Sequence, residues 1–195
     1  MNLREVRCLR IVGFVGMPGS GKGVASQIAR EMGISVVVMG DVIREEAARQ
    51  GLLPTDANLG RIGSDLRKEE GADAVARRTL ELARATGEEV VVVDGLRSRE
   101  EADFFRANAD EFYLIEICAP VQARLTRLAT RGRPDDPELT ERRALERREE
   151  RELSWGMREA MKTADITLKN DGDLEEFRRN VRHLLEVLAS RKDKG

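Results

Sequence analysis

Two spacings of apolar residues alternate along this chain. Unbroken apolar runs recur at RIVGFVG (10–16), SVVVMG (35–40), EEVVVVDG (88–95), EFYLIEIC (111–118) and ADITLKN (164–170). Runs rich in Val, Ile and Leu are how strands buried on both faces of a parallel sheet read. Between them, apolar residues fall three and four apart, the spacing of a helix with one buried face. Helices are predicted over 21–33, 41–51, 61–71, 72–87, 98–109, 119–132 and 173–191. Gly33 and Gly51 end the first two, and Asp41 is the predicted N-cap of the second. Residues 52–60, LLPTDANLG, read as a turn-rich break. Ser98 with Glu101 three positions on forms a capping box. The repeated strand–helix order predicts an α/β doubly wound fold with five strands.

Composition narrows this little but excludes several classes. A chain of 195 residues can bury a real core as one domain. Charged residues make up 36%, yet the net charge is only −2. Bulk charge therefore gives no case for nucleic acid or an anionic membrane as partner. No apolar run approaches the roughly 18 residues of a membrane-spanning helix. The N-terminal MNLREVRCLRIV carries charge from its start and does not read as a signal peptide. Cys8 and Cys118 lie in apolar stretches and are expected as buried free thiols in a reducing cytosol. The location expected is therefore cytoplasmic. The only histidine, His183, falls on the last amphipathic helix, so histidine catalysis is not expected.

The chemistry concentrates at the ends of the apolar runs. Residues 13–26, GFVGMPGSGKGVAS, follow a strand and open a helix, the setting of a phosphate-binding loop. Gly16, Gly21 and Lys22 fit G-x-x-x-x-G-K-[ST], but Gly23 stands where a Mg²⁺-binding hydroxyl belongs. The loop amides and the helix N-terminus would form an anion cradle, with Lys22 reaching the β- and γ-phosphates. Asp94 ends a buried strand, as a Mg²⁺-holding carboxylate does, and Arg97 lies three residues on. Asp41 and Arg44 share one helix start. The arginine could clamp an acceptor's phosphate and the aspartate could accept a proton, or both could be a capped, solvated helix end. Arginines outnumber lysines 28 to 6, and they crowd residues 124–151. Two or three of them are expected to touch a ligand, the rest pairing with glutamates along a solvated helix. Trp155, the only tryptophan, is expected to pack against the base of this segment.

These motifs resemble the nucleotide kinases with a phosphate-binding loop: adenylate kinase, cytidylate kinase and dephospho-coenzyme A kinase. The first carry G-x-P-G-x-G-K-G-T, against Gly16-Met17-Pro18-Gly19-Ser20-Gly21-Lys22-Gly23-Val24 here. They carry T-G-D-x-x-R, matched by Gly40, Asp41 and Arg44, and D-G-F-P-R, approximated by Asp94, Gly95, Leu96 and Arg97. ADITLKNDGDLEEF is similar to a stretch of dephospho-coenzyme A kinases in which the loop lies beside adenine, and this implies base contacts for Asn170 and Asp171. The full length also resembles an archaeal family of uncharacterised adenylate-kinase-like proteins, through MGDVIREEA, DGLRS, RGRPDD and ELSWG.

The resemblance implies one kinase domain over 1–195, with an acceptor-binding insertion at about 41–86 and a helical, Arg-rich lid at about 131–156. It implies ATP and Mg²⁺ as cofactors and a small-molecule acceptor, a nucleotide or something like one. The loop from Gly16 to Val24, with Arg127, would hold the donor. Asp94 would hold the metal, since Val24 removes the second hydroxyl position. Arg131 and Arg133, with Arg124 or Arg127, would neutralise the transferring group. Arg44, Arg67 and Arg97 would hold the acceptor. Two acceptor classes stay open: a nucleoside monophosphate needing no base, or an alcohol with Asp41 as base. A nucleotide-binding switch with slow hydrolysis is the rival from another class.

Overall fold

The computed structural model of the chain describes residues 8–131 and 142–190. Five strands form one sheet: β1 (Arg10–Val15), β2 (Ser35–Val38), β3 (Val90–Leu96), β4 (Glu111–Cys118) and β5 (Ile166–Lys169). Their order is β2-β3-β1-β4-β5, and every pairing is parallel. The helices are α1 (Lys22–Glu31), α2 (Met39–Arg49), α3 (Asp56–Glu70), α4 (Ala74–Ala85), α5 (Arg99–Asn108), α6 (Val121–Arg131), α7 (Arg142–Ser154), α8 (Met157–Lys162) and α9 (Leu174–Ser190).

The predicted α/β class and strand count hold, and the structure shows why the strand runs lack polar alternation. Successive side chains on a strand point to opposite faces. In β1, Ile11 and Val15 enter one core, with Val91 and Val93 of β3 and residues of α2, α3, α4, α5 and α8. Val12 and Phe14 enter a second core, with Val92, Ile115 and Ile117, closed by Ile28 of α1 and by Phe177, Val181 and Leu185 of α9. Alternation exists, but between two apolar cores rather than between core and water.

Four expectations need correction. Helix α2 begins at Met39, with the extended Val38 before it, so Asp41 sits inside the first turn and caps nothing. Burial of Met39 in the core draws the start forward. Helix α3 begins within the supposed turn-rich break, because the Thr55 hydroxyl accepts from the Asn58 N–H at 3.3 Å and starts the helix at Asp56. Helix α8 was not expected at all. Cys8 and Cys118 are half-buried rather than buried. Among the described residues, no helix is long and apolar enough to cross a membrane.

One irregularity positions chemistry. The β1–β3 register pairs Phe14 with Asp94 but Val15 with Leu96, so Gly95 is an extra residue in the ladder. Gly95 has φ 101°, a conformation that costs a residue with a Cβ but not glycine. The bulge falls immediately after Asp94, where the strand leaves the sheet.

Helix α5 is anchored by Phe105, which is fully buried and stacks on Phe112 at 5.7 Å between ring centroids. Phe105→Ala should cost about 3–5 kcal/mol in urea unfolding. A loss below about 1 kcal/mol would show that this ring does not hold α5 to the sheet.

Candidate functional site

The loop between β1 and α1 crosses the carboxyl edge of the sheet, flanked by the ends of β3 and β4, where ligands bind in open α/β sheets. Its conformation is fixed from below. Gly21 has φ 116°, and a Cβ there would lie 2.2 Å from Asn170 Nδ2. That amide donates to the Ser20 carbonyl at 2.8 Å. Arg127 of α6 donates to Asn170 O at 3.1 Å and to Asn170 Oδ1 at 3.0 Å. Arg124 donates to Glu149 of α7 and, at 3.3 Å, to the Pro18 carbonyl. The loop is therefore clamped by the β5–α9 turn and by α6.

These contacts revise three assignments. Asn170 is buried, and its amide nitrogen is engaged by the loop through the Ser20 carbonyl. Asp171 is exposed and lies off the cavity wall. Arg124 is buried as a tie between the loop and α7. The side chain of Arg131 and the whole of Arg133 lie outside the described residues.

Above the loop is a cavity of about 460 Å³, walled by Pro18 to Val24, Asp94, Arg44, Arg97, Arg127, Arg148 and Glu152. Gly16 and Met17 are not on that wall; Met17 packs against the core. Lys22 Nζ donates to the Gly16 carbonyl and, at 3.2 Å, to the Met17 carbonyl. Burial lowers its pKa to about 8, against the pull of Asp94 and Glu152. Asp94 is buried, and its Oδ2 accepts from Ser26 Oγ at 2.8 Å. Ser26 was not foreseen. It lies one helical turn past Lys22, on the face of α1 against β3, and it aims the carboxylate. The buried Ser20 hydroxyl has no hydrogen-bond partner among the described residues.

The other wall is a ladder of ion pairs from α7. Glu152 Oε1 accepts from Arg97 Nη1 at 2.5 Å and from Arg148 Nε at 3.1 Å. Burial opposes the charge on Glu152, but Arg97, Arg148 and Lys22 outweigh it and hold the pKa at about 2. Burial also lowers the pKa of Arg97. Arg67 donates to Glu101 at 2.5 Å, and Glu101 accepts from the Arg97 backbone N–H at 2.7 Å. The Glu101 half of the capping box thus reaches Arg97 rather than the cap residue, while Ser98 Oγ accepts from the Glu101 N–H at 3.1 Å as expected. Arg44 reaches the cavity wall, but Asp41 faces solvent, off that wall, and pairs with Arg44 at 2.6 Å. Arg44, Arg67 and Arg97 are therefore brought together and Asp41 is left outside.

The family model described as an AAA domain matches residues 15–142. A UPF0200 protein of Methanothrix thermoacetophila is 58% identical over 185 residues, covering 93% of this chain and 99% of its own. The chain belongs to the UPF0200 family, within that AAA domain group. Another UPF0200 protein, of Methanosarcina acetivorans, is 48% identical across 95% of this chain and all of its own. Among solved structures, TT1252 from Thermus thermophilus superposes with TM-score 0.64 at 21% identity, covering 95% of this chain and 100% of that one. Shikimate kinase from Acinetobacter baumannii in complex with shikimate gives 0.56 at 18% identity, covering 96% and 97%. A gluconokinase from Sinorhizobium meliloti gives 0.54 at 18%, covering 95% of each chain. The UPF0200 chain thus has a kinase-like fold.

Glu152→Gln would remove the carboxylate that the buried Arg97 and Arg148 share and should cost about 3–5 kcal/mol at neutral pH. The carboxylate stabilises the fold above its unfolded pKa of 4.5, and that contribution is lost as pH falls towards about 2. Urea melts of the two proteins should therefore converge across that acid window. A constant gap down to the lowest pH would mean that the carboxylate charge is not what holds the ladder.

Proposed function

We propose that the chain is an ATP-dependent phosphotransferase acting in the cytoplasm on a nucleotide or nucleotide-like small molecule. One observation carries this reading: the cavity over the phosphate loop is walled by Lys22, Arg44, Arg97, Arg127 and Arg148, and burial has already lowered the Lys22 pKa to about 8. Cations kept out of water are costly, and a polyanion in the cavity relieves that cost. The kinase fold of the named neighbours supports the same reading.

Phosphoryl transfer asks a protein mainly for positioning and charge neutralisation. Lys22 and the amides of residues 19–24 hold the triphosphate. Arg127 and Arg148 face it from α6 and α7, with Arg131 and Arg133 as further candidates. Arg44 and Arg97 hold the acceptor from the other wall. Asp94, buried at the wall and oriented by Ser26, suits a divalent cation, and no cluster of three or more acidic, His or Cys ligands occurs among the described residues. Its remaining ligands would be phosphate oxygens and water. When bound there, Mg²⁺ would neutralise charge on the β- and γ-oxygens. The outward, Arg44-paired Asp41 favours an acceptor that needs no base at that position.

The test is ADP release from ATP against panels of nucleotides and phosphorylated metabolites. One acceptor class should stimulate turnover well above the acceptor-free rate. Lys22→Met should lower that turnover on the order of 10²–10³-fold, as removal of one charge-stabilising donor does. ATP binding with turnover that no acceptor changes would replace the kinase by a nucleotide-binding switch.

A further inference from the structure

A second, smaller depression adjoins the main cavity, between α3 and α7. It measures about 40 Å³ and shares Gly40, Arg44, Gly95, Arg97 and Arg148 with its neighbour. We propose that this depression, built from Arg67, Arg151 and Trp155, is a subsite for a phosphate-class oxyanion carried by the acceptor. The inference rests on the phosphotransferase reading and names the chemistry of the acceptor.

Two glycines inside a helix are the first indication. Gly60 and Gly63 lie one turn apart in α3, and each costs about 1 kcal/mol relative to Ala in a helix interior. A Cβ on Gly60 would come within 2.6–2.8 Å of the Arg151 guanidinium. One on Gly63 would meet Arg67 Nη1 at 3.2 Å and Trp155 at 3.6 Å. The missing side chains let two guanidiniums lie directly against the helix backbone. Arg67 Nη1 donates to the Gly63 carbonyl at 2.8 Å, which fixes its plane.

The remaining donors are the second. A guanidinium carries five N–H donors. Glu101 takes one edge of Arg67 at 2.5 Å, and Asp56 takes one edge of Arg151 at 2.8 Å. The Nε of each is buried without a partner among the described residues. Trp155 supplies a common platform, with Arg67 4.5 Å, Arg97 5.6 Å and Arg151 5.8 Å from its ring. Its Nε1 donates to Ser64 Oγ at 3.2 Å and holds the ring in place. Three forks converging on one small space suit an anion with several oxygens, which Arg binds through paired N–H bonds. The space matches one such group and excludes a nucleobase, so the body of the acceptor would lie in the larger cavity.

The sole tryptophan makes the subsite directly readable. The full chain, without nucleotide, is titrated with inorganic phosphate at constant ionic strength while Trp155 emission is followed. The expected result is a saturable change that persists in Lys22→Met, where the donor loop is disabled. It should weaken at least tenfold in Arg67→Gln and in Gly60→Ala. The second variant keeps every charge but displaces the Arg151 guanidinium, so its binding is compared at a temperature where circular dichroism shows it fully folded, and loss of folding then cannot explain weaker binding. No saturable change, a change abolished in Lys22→Met, or an equal change with acetate would overturn the subsite. Saturable phosphate binding without acceptor-stimulated turnover would uphold the subsite and overturn the phosphotransferase reading. Turnover with Trp155 silent to phosphate would do the reverse.

Discussion

Everything at the carboxyl edge of the sheet follows from one constraint: positive charge is gathered where water is scarce. Lys22, Arg97 and Arg148 line a half-enclosed cavity, and burial acts against the charge on the first two. Such a site is tolerated only with compensating anions. Part of the compensation is built in. Glu152 meets Arg97 and Arg148, Glu101 meets Arg67, and Asp56 meets Arg148 and Arg151. Among the described residues the Lys22 ammonium donates only to two carbonyls of its own loop, which under the proposed function leaves the remaining compensation to a ligand.

The compensating carboxylates also decide how the helices assemble. Glu152 and Asp56 reach arginines on other elements, so α7 is fastened across the cavity to the end of β3 and to α3. Glu149 fastens α7 to α6 through Arg124, which in turn holds the loop carbonyl of Pro18. Helix α7, the loop and the sheet edge form one hydrogen-bonded unit, although the two apolar cores lie below it. The fold needs the cores; the site needs the ion pairs. A substitution at Phe105 and one at Glu152 therefore test different halves of the molecule.

Strands were legible because their buried runs leave no alternative periodicity, and the loop was legible because its spacing with Lys22 is rare outside phosphate sites. Asp94 could be named from its place at the end of a Val run, and strand alternation puts it on the same face as Val92, where it meets Ser26 of α1. Glu152 could not be singled out. It sits in ERREERE, where every Arg–Glu pair four apart reads as solvated helix, and only the fold shows which pair is buried. Ser26 was hidden for the same reason, as its role depends on α1 lying against β3. Asn170 was named for base contacts through the resemblance, which concerned the loop and not the direction of its amide. Asp41 was misplaced by a capping rule that the burial of Met39 overrides.

The central claim is that Lys22 is held partly dehydrated for a polyanion. The direct measurement is the affinity for ATP as a function of pH, by calorimetry at fixed ionic strength. A folded-state pKa of about 8 means that free Lys22 is charged below that pH and neutral above it. Since the triphosphate favours the charged form, affinity should be flat up to about pH 8. It should then fall by up to tenfold per pH unit until the raised pKa of the complex is passed. An affinity unchanged to pH 10 would contradict the claim, because the arginines alone would then be holding the phosphates.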